Sequence, residues 1–245
     1  MISIIAGNVK CKISGLSDSL VIKEFDQAMS YLVQVSNFVQ NNYGWDGRQR
    51  LFTKNHYFPI GLLSIAEKIL KKHSLEYTII DNRIDLKKDN PLKVSDNTKF
   101  KTREYQQKAI DIAMKHNSGV IKMSTGSGKA FVLALLTGNY NVKTIIYVIS
   151  IDLLYQMKDT FSNLYPDVKI GMVGDGHCDI QDITICTLWS AASAFNIKMD
   201  KVDSEINAYS KSKDNLTNQN KNNIKKMVAE SQMLIIDECQ FCGCN

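Results

Sequence analysis

Ser124-Thr125-Gly126-Ser127-Gly128-Lys129 and, far downstream, Leu234-Ile235-Ile236-Asp237-Glu238 are the stretches of this chain whose residue types could do chemistry. In the first, small residues let backbone N–H groups wrap closely around phosphate oxygens, and a side chain at Gly126 or Gly128 would obstruct that approach. Lys129 adds a point charge for the β- and γ-phosphates, and the N-terminus of a following helix adds its dipole. In the second, an apolar strand stops on two adjacent carboxylates. Asp237 is placed to hold magnesium and Glu238 to orient an attacking water. Each stretch has a plainer reading alone: a glycine-rich turn, or acidic residues ending a strand. Together they read as two halves of a nucleoside triphosphate and magnesium site.

Two positions depart from the phosphate-loop pattern. Met123 stands where Gly or Ala is usual, and Ala130 where Ser or Thr is usual. The usual hydroxyl is a direct magnesium ligand in such loops. With Ala130, water must fill that position, so nucleotide binding is expected to survive better than hydrolysis.

The elements that position these residues fall into two patterns. From Lys101 onward helices alternate with short apolar strands, the signature of a parallel α/β sheet. Helices are expected at Glu104–Lys115, Lys129–Leu136 and Asp152–Leu164. Strands are expected at Gly119–Met123, Thr144–Ile149, Asp182–Cys186 and Met233–Ile236. Met199 to Asn223 is polar and reads as a solvated insertion, partly helical near Asn222–Ala229. Residues 1–86 read as a small α+β domain, expected to bind DNA. It has a short opening strand, an amphipathic stretch from Val21 to Val39, a turn cluster from Tyr43 to Arg48, a helix over Leu62–Lys72 and a strand over Glu76–Ile80. Residues 87–99 are polar, contain Pro91 and read as a linker before the domain at 100–245.

Composition narrows the class. The 245 residues are 44% apolar and 22% charged, ordinary for a soluble globular protein, and contain no apolar run long enough to span a bilayer. The N-terminus lacks the basic lead and apolar core of a signal peptide. Six unevenly spaced cysteines do not read as a disulfide framework, so a reducing cytoplasm is expected. Cys239, Cys242 and Cys244 lack a fourth partner at zinc-site spacing. Residues 1–100 hold 14 Lys/Arg against 10 Asp/Glu, so most of the net +5 lies there. Within them Arg48 and Arg50, beside Tyr43 and Trp45, combine charge with aromatic surface in the manner of nucleic-acid contacts. The other reading is a turn whose Trp packs inward while the arginines are solvated.

The order of motifs resembles that of superfamily 2 nucleic-acid helicases, in particular the phage UvsW type. Thr102-Arg103-Glu104-Tyr105-Gln106 resembles the Q-type adenine-recognition motif, and Thr125 to Lys129 resembles motif I. Val148-Ile149-Ser150 with Leu153 and Gln156 resembles motif Ia, Thr184 to Trp189 the motif Ic region, and Asp237-Glu238-Cys239-Gln240 a DEAH-type motif II. Trp45-Asp46-Gly47-Arg48 and Pro59-Ile60-Gly61-Leu62 resemble the small N-terminal domain of UvsW-like proteins. The resemblance implies a RecA-like ATPase fold, ATP and magnesium as cofactors, and DNA (branched, duplex or single-stranded) as partner. It also implies nucleotide contacts from Arg103, Gln106, Thr125, Gly126, Ser127, Gly128, Lys129 and Ala130, with Gln106 reading the adenine. Ser150, Gln156, Thr187 and Trp189 would follow a nucleic-acid strand through its backbone, although Thr187 and Trp189 could equally end a strand and pack a core.

The later helicase motifs, the second RecA-like domain and its arginine finger are expected after Asn245. In this fold the strand after motif II normally inserts between the phosphate-loop strand and the motif II strand. A fragment, a differently closed sheet, or a second polypeptide carrying the remaining motifs are the alternatives. Two functions stay open: the N-terminal portion of a DNA helicase acting on branched or forked DNA, in phage-infected host cytoplasm if the phage resemblance holds, or a helicase-derived protein that binds DNA or a partner without catalysis. A small-molecule P-loop kinase is disfavoured by the Asp-Glu pair and the motif order.

Overall fold

The structure is a computed structural model, and it describes residues 1–32, 46–84, 86, 90–96, 101–116, 118–197 and 216–239. Tyr43, Trp45, Cys242, Cys244 and most of the expected polar insertion lie outside these. The chain divides into two compact units, one built essentially from Met1–Asp85 and the other from Leu86–His116 with Val120–Cys244.

The first unit is a four-stranded sheet in the order β5-β2-β1-β6. Its strands are β1 (Ile2–Ala6), β2 (Lys10–Ser14), β5 (Tyr57–Pro59) and β6 (Tyr77–Asp81). β1 runs antiparallel to β2 and parallel to β6. Side chains alternate across a strand, so Ile2, Ile4, Ala6, Cys11, Ile13 and Phe58 share the buried face. Helices α1 (Ser19–Ala28) and α2 (Leu63–Lys72) cover that face with Val21, Phe25, Ala66, Ile69 and Leu70. α1 starts where the Asp18 carboxylate accepts the Leu20 amide at 2.8 Å, a side-chain N-cap.

It also stops earlier than the apolar spacing suggests. The chain leaves the helix at Met29, and Ser30–Leu32 becomes β3, paired antiparallel with β4 (Arg48–Arg50). Leu32, expected on the helical apolar face, is exposed. A cross-strand ladder has overridden a local helical pattern.

The second unit is a five-stranded sheet in the order β11-β7-β10-β8-β9. β7 (Thr144–Val148), β8 (Ile170–Gly174), β10 (Ile183–Thr187) and β11 (Met233–Ile236) are parallel, and β9 (His177–Asp179) folds back antiparallel on β8. β8 and β10 are buried along their whole lengths, as parallel strands covered on both faces must be. The helices are α3 (Glu104–Lys115), α4 (Lys129–Tyr140), α5 (Ile151–Leu164), α6 (Leu188–Ala194) and α7 (Asn218–Glu230). Phe131, Ala134, Leu154, Phe161 and Leu164 pack against Ile146, Val148 and Ile185 on one side of the sheet. Ala191, Ala194, Ile224 and Met227 pack against Ile145, Val173 and Cys186.

One expectation changes, and two further features were not foreseen. Gly119–Met123 forms no strand: Val120 is 81% exposed, and no strand pairs with the outer edge of β11 among the described residues. A ladder needs a neighbour, and without one the segment makes no strand. The hairpin β8–β9 was not legible because its glycines and aspartates read as turn. Part of the segment expected as a linker is fastened to the second unit. The Leu92 and Ser95 amides each donate over 2.9 Å to the Gly138 and Leu164 carbonyls, and Leu92 and Val94 pack on the core.

Candidate nucleotide site

The phosphate loop closes on itself before α4 begins. The Ser127 amide donates to the Ser124 carbonyl at 3.2 Å, and the Ser127 hydroxyl donates to the same oxygen at 2.6 Å. Gly126 and Gly128 take left-handed conformations, with φ of 75° and 82°. These are strained for any residue with a Cβ. At Gly128 a Cβ would also stand 2.7 Å from Gln106 Nε2, whereas at Gly126 the added atom meets nothing within 4 Å. One glycine is required by a neighbour, the other leaves open space over the loop. α4 begins directly after this loop, and the first amides of a helix have no partner within the helix, which leaves donors for an anion.

Lys129 Nζ donates to Glu238 Oε1 at 2.8 Å. This contact brings the two sequence halves of the site together across 109 positions. β11 delivers the carboxylates: the Asp237 amide bonds the Tyr147 carbonyl at 2.9 Å, and Glu238 then turns into a left-handed conformation (φ 54°). That turn ends the strand and carries the Glu238 side chain to the lysine. The hydrogen bond to Glu238 raises the Lys129 pKa. Burial, and then the neighbouring Glu238 charge, push the Asp237 carboxyl above its ordinary value, while Lys129 opposes the shift. A carboxylate so placed gains from a cation beside it.

Arg103, Tyr105, Lys122, Ser124, Thr125 and Gly126 line a cleft of about 520 Å³ next to the loop. Gln106 is buried, and its amide spans two elements: Oε1 accepts the Arg103 amide and Nε2 donates to the Ser127 carbonyl, both at 2.9 Å. The Tyr105 hydroxyl donates to the same carbonyl at 3.0 Å and receives Arg103 Nη1 at 3.0 Å. Gln106 therefore ties the start of α3 to the phosphate loop. Tyr105, which sequence reasoning left out of the site, belongs to this network; its place between Arg103 and Gln106 was the available signal.

The donors present suit a nucleotide-borne magnesium. Such an ion is held by one or two carboxylates plus substrate phosphates, with waters completing its shell. Asp237 supplies a carboxylate, and the Ala130 side chain can supply nothing. No group of three or more His, Cys, Asp or Glu gathers into a metal cluster among the described residues.

The residues expected to follow nucleic acid are less uniform. β7, β10 and β11 are parallel, so Ser150, Thr187 and Asp237 all stand at the carboxyl end of the sheet, where ligands of open α/β sheets bind. Ser150 caps α5, its hydroxyl accepting the Leu153 amide at 3.2 Å, and Gln156 is exposed. Thr187 is buried, caps α6 and shares a 2.8 Å hydrogen bond with Ser190 Oγ. Its side chain is already engaged in the fold, and Trp189 beside it is half-buried. In the first unit Arg50 pairs with Asp26 at 2.7 Å and with Asp46, and Arg48 Nη1 donates to Ser30 Oγ at 3.2 Å. That pair of arginines is held by the unit's own side chains.

Comparison with known proteins matches residues 99–240 to the family described as "Type III restriction enzyme, res subunit". Among curated relatives, the chain is 36% identical over 93 residues to the DNA 3'-5' translocase XPB2 of Sulfurisphaera tokodaii, covering 38% of this chain and 21% of that protein. It is 28% identical over 149 residues to the ATP-dependent DNA helicase uvsW of Enterobacteria phage T4, covering 54% of this chain and 30% of that one. The matches thus span about a fifth to a third of these relatives' lengths. Two solved structures of phage T4 UvsW share the fold at 17% identity. One has a TM-score of 0.60 over 96% of this chain and 99% of that chain, the other 0.64 over 98% and 53%. With the phosphate loop, the acidic pair and the RecA-like sheet in place, the chain belongs to the type III restriction enzyme res-subunit family.

Proposed function

We propose that the chain is the nucleotide-binding part of an ATP-dependent DNA helicase or translocase that acts on branched or forked DNA in replication, recombination or repair. The observation that carries this is the 2.8 Å contact between Lys129 and Glu238 at the mouth of the glycine loop. It sets the phosphate-binding cation against the water-orienting carboxylate with Asp237 adjacent. An arriving triphosphate competes for Lys129, and Glu238, released from the lysine, becomes available to orient water. Arg103 and Tyr105 face the cleft where the base would lie, and Gln106 links that cleft to the loop. Magnesium, held by Asp237 and the phosphates, would supply neutralisation of the charge that develops during phosphoryl transfer.

β11 is the end strand of its sheet among the described residues, which supports a further element of this reading: an added strand pairs there. We assign that strand to a second polypeptide with the remaining helicase motifs. The setting is the cytoplasm, that of a phage-infected host if the UvsW likeness extends to origin. No helix among the described residues is long and apolar enough to cross a membrane. Ala130 favours a second reading, a helicase-derived protein that binds DNA or a partner without turnover.

Competition gel shifts decide the DNA preference. The chain is expected to hold a labelled fork against excess linear duplex of the same length and sequence. Equal displacement by fork and linear competitor would remove branched DNA from the proposal.

A further inference from the structure

The sheet of the first unit has one face packed on its helices and one face open. Register assigns the open face. In one row Tyr57, Lys12, Ile5 and Ile80 stand side by side across all four strands; Ser14, Ser3 and Thr78 form the next, and Lys10 stands opposite Pro59. None of these positions carries a carboxylate. Lys10 Nζ lies 4.8 Å and Lys12 Nζ 5.4 Å from the centre of the Tyr57 ring. Both lysines are exposed, and neither makes an ion pair among the described residues. Two ammonium groups gathered at one ring repel each other, and a shared anion relieves that repulsion. Beside them Ile5 and Ile80, 36% and 48% exposed, give the same face an apolar floor.

We infer that this open face, centred on Lys10, Lys12 and Tyr57, is a docking surface for a single strand of DNA, a site separate from the Arg48 and Arg50 turn. The inference rests on the DNA-binding reading above and locates a contact within it. Charge complementarity selects a polyanion, and the apolar neighbours select the single strand. A duplex presents phosphates and sugars outward and has nothing to cover Ile5 and Ile80. A single strand presents unstacked bases, which aromatic and apolar side chains on a basic surface accommodate without sequence preference. The phosphates lie toward Lys10 and Lys12, and the bases toward Tyr57, Ile5 and Ile80. Because Arg50 is committed to Asp26 and Asp46, these lysines are the better supplied with unspent charge.

The test uses the full chain and fluorescence anisotropy with a labelled oligothymidine of about 16 nucleotides, the upper site size of comparable single-strand binders. A duplex of the same length and a parallel titration with labelled ATP accompany it. Lys10→Ala with Lys12→Ala is expected to weaken oligothymidine binding by roughly tenfold at low salt and to reduce the salt slope by about 1.4, the contribution of two single-strand phosphate contacts. Lys10→Arg with Lys12→Arg should retain binding, and Tyr57→Leu should weaken the oligothymidine more than the duplex. Nucleotide binding should be the same in all of these variants. Unchanged oligothymidine affinity and slope in the double alanine variant would overturn the inference, while the nucleotide titration reports separately on the helicase reading. Equal losses for duplex and single strand would overturn the choice of occupant. Failure of the unmodified chain to bind any DNA while it binds nucleotide would overturn the face and the DNA reading together.

Discussion

Lys129 and Glu238 hold each other, and burial with the neighbouring Glu238 charge keeps Asp237 beside them above its ordinary pKa. Folding raises the Asp237 pKa, and the sign of its pH dependence follows. Its contribution to stability is fully present below the unfolded value of about 3.8 and is lost as pH rises through the higher folded value. Asp237→Asn removes that loss. The variant is therefore expected to melt above the parent at neutral pH, with the difference disappearing below about pH 4. Thermal melts at the two pH values check it, and a variant that melts below its parent at neutral pH would contradict the burial argument. The candidate residues Gly126, Gly128, Lys129, Asp237 and Glu238 stood out in the sequence because their types and spacing are restrictive. Tyr105 and the Lys10–Tyr57–Lys12 grouping were not, since a tyrosine in a helix and alternate lysines in a strand are common outside any site.

At the scale of elements, the start of α3 and the phosphate loop are one hydrogen-bonded assembly through Gln106. Gly128→Ala demands a left-handed alanine and sets its Cβ against Gln106 Nε2. A loss of about 1–3 kcal/mol is expected from the backbone conformation alone, measured by denaturant unfolding. Gln106→Ala deletes both hydrogen bonds, and hydrogen exchange at the first turn of α3 should then rise. Unchanged exchange would mean the glutamine does not tie the two elements. Most helices and parallel strands were legible because burial on both faces leaves continuous apolar runs bounded by turns. The early end of α1, the β8–β9 hairpin and the unpaired Gly119–Met123 were not, because each depends on a partner distant in sequence or on the lack of one.

At the scale of the molecule, the RecA-like unit presents a phosphate loop and an acidic pair at the carboxyl end of its sheet, with Ala130 where such loops carry the hydroxyl that ligates magnesium. The chain is therefore expected to hydrolyse ATP slowly even with DNA present, and Ala130→Thr should strengthen magnesium-dependent binding. Steady-state phosphate release measures this, and brisk DNA-stimulated hydrolysis would show that the chain supplies every catalytic part. The family and fold were legible from motif order. The central claim, that the loop and the acidic pair form one nucleotide site, is tested most directly by calorimetric titration of ATP with magnesium into the folded chain and into Lys129→Ala. The account predicts saturable heat for the parent and none for the variant; no heat from the parent, or the same heat from both, would contradict it.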